Sequence, residues 1–269
     1  MDMSGYYPII GEKPLDRIPA NGGFCRIFRK IGCVGDSLSS GEFELRREDG
    51  TSGYYDMYEY SWGQHIARMT GSTVCNFSQG GMTAREYCET FADHKGYWNP
   101  DKACQAYIIA LGCNEYFRND EIGTLEDVDF SNHRNNRPTF CGYYAQIIQR
   151  LKAIQPRAKF FLVTMPREND SGEYTLREII NERIRELSNN FDNTYLIDLY
   201  KYAPVYDAKF REMFFLEGHM NPAGYVFTAD IISAYIDYIV RHNIRDFDEI
   251  GFIGTALTNH PALKEPAQT

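Results

Sequence analysis

The chain has 269 residues, 28 Lys+Arg against 37 Asp+Glu for a formal charge of −9, and a hydrophobic fraction of 43% that includes 17 Phe and 20 Tyr. Such apolar and aromatic mass excludes a disordered chain, because disordered segments lack the groups that offset chain entropy. The acidic balance, with no run of Lys or Arg longer than two, excludes the clustered positive charge that nucleic-acid binding requires.

The length fits one α/β domain with extensions: a single unit over 1–269, with a core at about 24–242, an N-terminal lead 1–23 and a C-terminal tail 243–269. The sequence reads as having no stretch near the ~20 apolar residues that cross a bilayer, and Met1 to Ala20 is too charged for a signal peptide. The expectation is a soluble cytoplasmic chain with no membrane partner, unless an export signal precedes it; the oligomeric state stays open, a homo-oligomer included. Seven cysteines without a Cys-x-x-Cys pair argue against a disulfide framework and a structural zinc site. His65, His94, His133, His242 and His260 form no helical metal-ligand pair, so no metal and no cofactor is expected.

In chain order, short apolar runs of strand length alternate with helical patterns. The first run, Ile27 to Val34, ends in Gly35-Asp36-Ser37-Leu38-Ser39, a serine at a strand-to-loop turn among small residues. Ser39 to Tyr55 reads as a substrate-specific insert, since binding residues concentrate on loops held by a rigid scaffold, and a helix is predicted over Asp56 to Met69. The second run, Ser72 to Phe77, leads into Asn76-Phe77-Ser78-Gln79-Gly80-Gly81-Met82-Thr83. Its glycines permit positive φ and can aim a backbone N–H at a ligand. A helix follows over Thr83 to Phe91.

The third run, Ala106 to Leu111, is followed by Gly112-Cys113-Asn114-Glu115. Phe140, Tyr144, Ile147, Leu151 and Ile154 then fall on one helix face. A fourth run at Lys159 to Thr164, a helix over Leu176 to Leu187 and a fifth run at Thr194 to Leu199 complete the alternation. Near the C-terminus comes Glu217-Gly218-His219-Met220-Asn221-Pro222. Asn221 can cap, and Pro222 can open, a helix running to Val240. The tail is expected to pack across the domain or a partner subunit, with its last residues frayed.

Strands alternating with helices imply parallel pairing and right-handed crossovers, hence a three-layer α/β/α sandwich around a five-stranded parallel sheet. Ligands bind such sheets at the carboxyl ends of the strands, where the polar residues just described fall. A serine is a weak nucleophile until a general base takes its proton, and His219 is the candidate base. The oxyanion of a tetrahedral intermediate needs preorganised donors, and the Ser37 N–H, the Gly81 N–H and the Asn114 side-chain amide are candidates. Asp36 reads as structural, because an acid beside the nucleophile disfavours developing negative charge.

These four blocks, in this order, resemble the SGNH (GDSL-like) hydrolase superfamily of esterases and acylhydrolases: Gly-Asp-Ser-Leu around Ser37, Asn-x-x-x-x-Gly ending at Gly81, Gly-x-Asn ending at Asn114, and His219 followed by Asn-Pro-x-Gly-Tyr. The resemblance spans Ile31 to Tyr225 and implies a flavodoxin-like fold, with Ser37 as nucleophile, His219 as base, and Ser37, Gly81 and Asn114 as oxyanion hole. Two departures stand out. Leu216 occupies the position three before the histidine where the family places an Asp, and Glu115 replaces the Asp that follows Asn114. The imidazole is therefore expected to be oriented by Glu217 or a backbone carbonyl, with Asp207 or a residue of the Ser39 to Tyr60 insert as further sources.

Tyr54, Tyr55, Tyr58, Tyr60, Trp62, Tyr97, Trp98, Tyr116 and Phe117 flank the blocks and can stack on sugar rings or pack the core. The expected activity is hydrolysis of small acyl esters, O-acetyl groups on saccharides among them. The alternatives are a weak or inactive carbohydrate binder and an acyltransferase.

Overall fold

The five apolar runs form one parallel sheet in the computed structural model, which describes residues 3, 5–168 and 175–253. The strands, in chain order, are β1 (Lys30–Gly35), β2 (Glu42–Arg46), β3 (Ser52–Asp56), β4 (Thr73–Ser78), β5 (Ala106–Ala110), β6 (Lys159–Val163), β7 (Thr194–Ile197), β8 (Phe215–Leu216) and β9 (His219–Met220). The helices are α1 (Ser37–Ser40), α2 (Trp62–Thr70), α3 (Ala84–Glu86), α4 (Ala92–His94), α5 (Cys113–Arg118), α6 (Phe140–Ile154), α7 (Leu176–Asn190), α8 (Leu199–Tyr202), α9 (Ala208–Phe214) and α10 (Pro222–His242). The main sheet runs β4-β1-β5-β6-β7 with every neighbouring pair parallel. The order reverses between β1 and β5, and a doubly wound sheet opens its ligand crevice at such a switch point.

Side chains alternate faces along each strand, and the two faces carry separate cores. Ile31, Ile108, Phe161 and Val163 pack with α2 and α10 on one side. Val34, Ile109, Phe160 and Leu162 pack with α3, α4, α6 and α7 on the other. This is the expected three-layer sandwich. All seven cysteines are free thiols, five of them buried.

The departures have local causes. The helix predicted from Asp56 starts at Trp62, because the Ser61 hydroxyl accepts from the Gln64 N–H at 3.2 Å and caps it there. The insert holds an antiparallel hairpin, β2 with β3, turning through Asp49-Gly50, where Gly50 has φ +81°. Asp-Gly between apolar-alternating runs is a hairpin signal. Contrary to the sequence reading, α10 is long and apolar enough by composition to span a bilayer, yet most of it is buried in the protein. Its Ile231, Ile232, Ile236 and Val240 complete the core against the sheet.

The same helix anchors the N-terminal lead. Arg241 is bidentate to Glu12 at 2.7 Å for each bond and donates to Asp237 at 2.9 Å. At the other end Gln105 donates to the Ile250 and Ile253 carbonyls, which holds the start of the tail against the sheet. The expected fraying of the last residues lies outside the described residues.

Candidate active site

Ser37 is the first residue of α1, directly past the end of β1. Asp36 caps this helix by accepting from the Leu38 N–H at 3.1 Å, so it is structural. Burial pushes its carboxyl up to about 7. As the first helical residue Ser37 presents a backbone N–H that the helix itself cannot satisfy, which suits an oxyanion donor. Gly81 follows β4 with φ +73°, and its carbonyl accepts from Arg118 at 2.9 Å.

Asn114 lies in the first turn of α5, past β5, and its Nδ2 donates to the Met82 carbonyl at 2.9 Å. That bond uses one of the two amide protons and leaves the other for a ligand. Glu115 explains its own departure from the family pattern. Its Oε1 accepts from the Ala84 N–H at 2.5 Å, tying the third block to the second, while burial pushes its carboxyl up to about 7.

His219 is carried by the short β9, paired with β8 and packed beside α1 and β2. The residues next to three of the candidates, Leu38, Cys113 and Met220, line one apolar cavity of about 90 Å³ under the sheet's carboxyl edge. None of Ser37, Asn114 and His219 lines that cavity itself; α1, which begins with Ser37, packs beside β9, which carries His219, and the Gly81 turn is held to Asn114 through Met82. Ser37 makes no hydrogen bond to His219 among the described residues.

Both ring nitrogens of His219 face carboxylates from β2. Nδ1 lies 3.3 Å from Glu44 Oε2 and Nε2 lies 3.1 Å from Glu42 Oε1. The period of a strand explains the pair: Glu42 and Glu44 share one face while Phe43 between them is buried against Tyr225 and Tyr60. Two glycines make room for these carboxyls. A Cβ on Gly80 would sit 2.2 Å from Glu42 Oε2, and one on Gly218 would sit 2.5 Å from Glu44 Oε2.

Glu44 is well supplied with donors: the Gly218 N–H at 2.9 Å, the Ser52 hydroxyl at 2.9 Å and the Tyr54 hydroxyl at 3.3 Å. Burial works against its charge, but the bonds from Ser52, Gly218 and His219 together hold its carboxyl below the usual range. Glu42 goes the other way. Burial raises it, His219 opposes that, and Asp56 and Glu44 add to the rise.

Glu217 does not reach the imidazole. It sits exposed in the β8–β9 turn with φ +54°, and the place beside Nδ1 is taken by Glu44. Leu216 pairs with His219 in register and packs its side chain against the core, while Asp207 caps α9 through the Phe210 N–H at 2.8 Å. Of the sources considered from sequence, the insert supplies the carboxylate. Neither Glu42 nor Glu44 stood out by motif; their signal is the alternation Glu42-Phe43-Glu44-Leu45 ahead of Asp49-Gly50.

The aromatic residues divide. Tyr54, Tyr55 and Tyr60 line an open groove with Pro222 beside the site, and Tyr54 meets His219 edge-on at 5.8 Å. Trp62 is buried core, and Tyr58 and Tyr97 donate inward to the Val74 and Asn76 carbonyls. Tyr116 lies under Arg177, while Phe117 is exposed. Among the described residues no group of three His, Cys, Asp or Glu side chains is arranged to hold a metal ion.

A parallel sheet in the order found here, with Ser, Gly, Asn and His blocks following in sequence, defines an SGNH-type α/β fold. The chain belongs to the GDSL-like lipase/acylhydrolase family, whose model matches residues 33–227. A solved protein from Lactobacillus plantarum is similar at 14% identity and TM-score 0.58, over 80% of this chain and 97% of its own. A family two carbohydrate esterase from Clostridium thermocellum, solved in complex with cellohexaose, is similar at 14% identity and TM-score 0.55, over 87% of this chain and 66% of its own. A carbohydrate esterase family 2 enzyme from Corynascus thermopiles (Myceliophthora fergusii) follows at 15% identity and TM-score 0.54, over 84% and 69%. At these identities the likeness is one of fold. No curated protein is significantly similar in sequence.

Proposed function

We propose that this protein is a serine esterase that forms an acyl-enzyme on Ser37 and acts on small acyl esters of saccharides. The observation that carries the reading is the His219 imidazole, held at Nδ1 by a carboxylate and set beside the helix that begins with Ser37. Ser37 Oγ attacks the ester carbonyl while His219 Nε2 takes its proton, once substrate has brought the two into reach. The oxyanion then meets the Ser37 and Gly81 N–H groups and the free Asn114 amide proton. The leaving alcohol departs protonated, and water activated by His219 releases the acid. Glu44 keeps the proton of the neutral ring on Nδ1 and stabilises the imidazolium. No step draws on a cofactor.

The cavity beside Leu38, Cys113 and Met220, at about 90 Å³, is smaller than the ~150 Å³ that admits benzene, which supports a short acyl group. The groove of Tyr54, Tyr55, Tyr60 and Pro222 supports a saccharide on the alcohol side, since planar rings pack on sugar faces; two structural neighbours carry the name carbohydrate esterase. Turnover of a chromogenic acetate tests the reading. Wild type is expected to be active and Ser37→Ala inactive; a variant with the full wild-type rate would remove Ser37 as nucleophile.

One observation favours a second reading, a weak or inactive saccharide binder: His219 Nε2 is occupied by Glu42 rather than by Ser37. Covalent labelling of Ser37 by a fluorophosphonate separates the two, because an unactivated serine does not react. Product analysis with added alcohol or sugar separates hydrolysis from acyl transfer.

A further inference from the structure

Serine–histidine chemistry leaves Glu42 without a part, yet its carboxyl occupies the centre of the site. Oε1 is 3.1 Å from His219 Nε2, the nitrogen that takes the serine proton and returns it to the leaving oxygen. Oε2 packs against Gly80, where a Cβ would lie 2.2 Å away, so the carboxyl lies between the histidine and the turn that carries Gly81.

The backbone beneath it is fixed. The Glu42 carbonyl accepts from the buried Tyr225 hydroxyl at 2.6 Å, and Glu42 pairs with Asp56 across the hairpin. Asp56 is itself held by the Ser40 hydroxyl at 2.5 Å, three residues from the nucleophile. Only 14% of the Glu42 side chain is exposed.

The geometry points to Glu42 as a further catalytic residue, one that passes a proton between His219 Nε2 and the leaving alcohol during acylation. The inference rests on the esterase reading above. A leaving oxygen close enough to receive a proton from Nε2 on the cleft side is also beside the Glu42 carboxyl.

The Ser37 Oγ–carbonyl bond forms and the ester C–O bond breaks; the Ser37 proton moves to Nε2, the Nε2 proton to Glu42, and the Glu42 proton to the alkoxide. His219 ends neutral, Glu42 ends ionised, and the alcohol carries the proton that Ser37 lost. The surroundings suit the two carboxyls to different work. Glu44 is held low and stays a carboxylate, whereas Glu42 is raised by burial, with Asp56 and Glu44 adding to the rise against His219, and so takes up a proton more readily than Glu44 does.

The test is kcat/KM, which reports acylation, for a series of acetates from p-nitrophenyl acetate to ethyl acetate and a methyl glucoside acetate, on wild type and Glu42→Gln. The glutamine keeps the shape and loses the exchangeable proton. The variant is expected to lose about 100-fold on the alkyl and sugar acetates and no more than about tenfold on p-nitrophenyl acetate, whose phenolate leaves without protonation. Wild type is expected to depend only weakly on leaving-group basicity.

Equal losses across the series would overturn the proposal. A gain across the series would overturn it too, because Glu42 would then be holding His219 away from Ser37. If the variant does not fold, as read by its melting curve, a steep dependence on leaving-group basicity in wild type alone contradicts the proposal. A wild type inactive on every acetate would overturn the esterase reading with it.

Discussion

Glu44 Oε2 lies 3.3 Å from Nδ1 of His219, 175 residues further along the chain, and accepts the Gly218 N–H at 2.9 Å. One carboxylate thus fixes both the imidazole ring and the backbone that carries it. The family's usual acid position holds Leu216, which packs into the core.

Glu44→Gln is expected to lower kcat on a chromogenic acetate by about 10³-fold with KM little changed, since the orienting acid acts on the histidine and not on bound substrate. Steady-state kinetics on the folded variant check this. A loss of less than about threefold would mean that Glu44 does not orient the ring.

Gly218→Ala tests the same relationship from the other side. The new Cβ would sit 2.5 Å from Glu44 Oε2, and the end of a flexible side chain yields before backbone does. The expected result is a small change in melting temperature and a kcat that falls toward that of Glu44→Gln. The double variant is expected to be no worse than Glu44→Gln alone, because both changes remove one interaction. Additive losses would separate the two residues.

The fold and four of the site blocks were legible in sequence for a common reason. Buried parallel strands read as short continuous apolar runs, and the residues just past them are polar for want of a core to join. Helix α6 came out at its full length because Phe140 to Ile154 keep a strict helical period. The hairpin was not legible in the same way. Only Phe43 of β2 is buried, so one apolar anchor carries the strand pattern, and the local sequence holds nothing that brings residue 44 to residue 219. Glu217 looked attractive by adjacency alone; its positive φ turns it to solvent.

Glu115 gives a prediction in pH. Its folded pKa, pushed by burial from 4.5 up to about 7, means that the folded state holds a proton the unfolded state has released. Stability is therefore lost as pH rises from about 4.5 to about 7, by on the order of 3 kcal/mol. Asp36, also raised to about 7, acts in the same direction. Glu115→Gln keeps an acceptor for the Ala84 N–H without the charge, so it is expected to raise the melting temperature at pH 8 and to leave it unchanged at pH 4. Equal shifts at both pH values would contradict the burial argument.

The Glu12–Arg241–Asp237 cluster gives a prediction in stability alone. The Arg241 side chain is 1% exposed between two buried carboxylates. Arg241→Met takes the shared cation from both and is expected to cost about 3–5 kcal/mol in urea denaturation, with the rate per folded molecule retained. A cost below about 1 kcal/mol would mean that the lead is not anchored through this cluster.

Catalysis through Ser37 requires that its hydroxyl become acylated. Wild-type protein mixed with excess p-nitrophenyl acetate, quenched in acid within the first turnover and digested, is analysed by mass spectrometry. One acetyl group is expected, on the peptide containing Ser37, absent from Ser37→Ala and much reduced in His219→Ala. Turnover without that adduct, or an adduct on another residue that persists in Ser37→Ala, would contradict it.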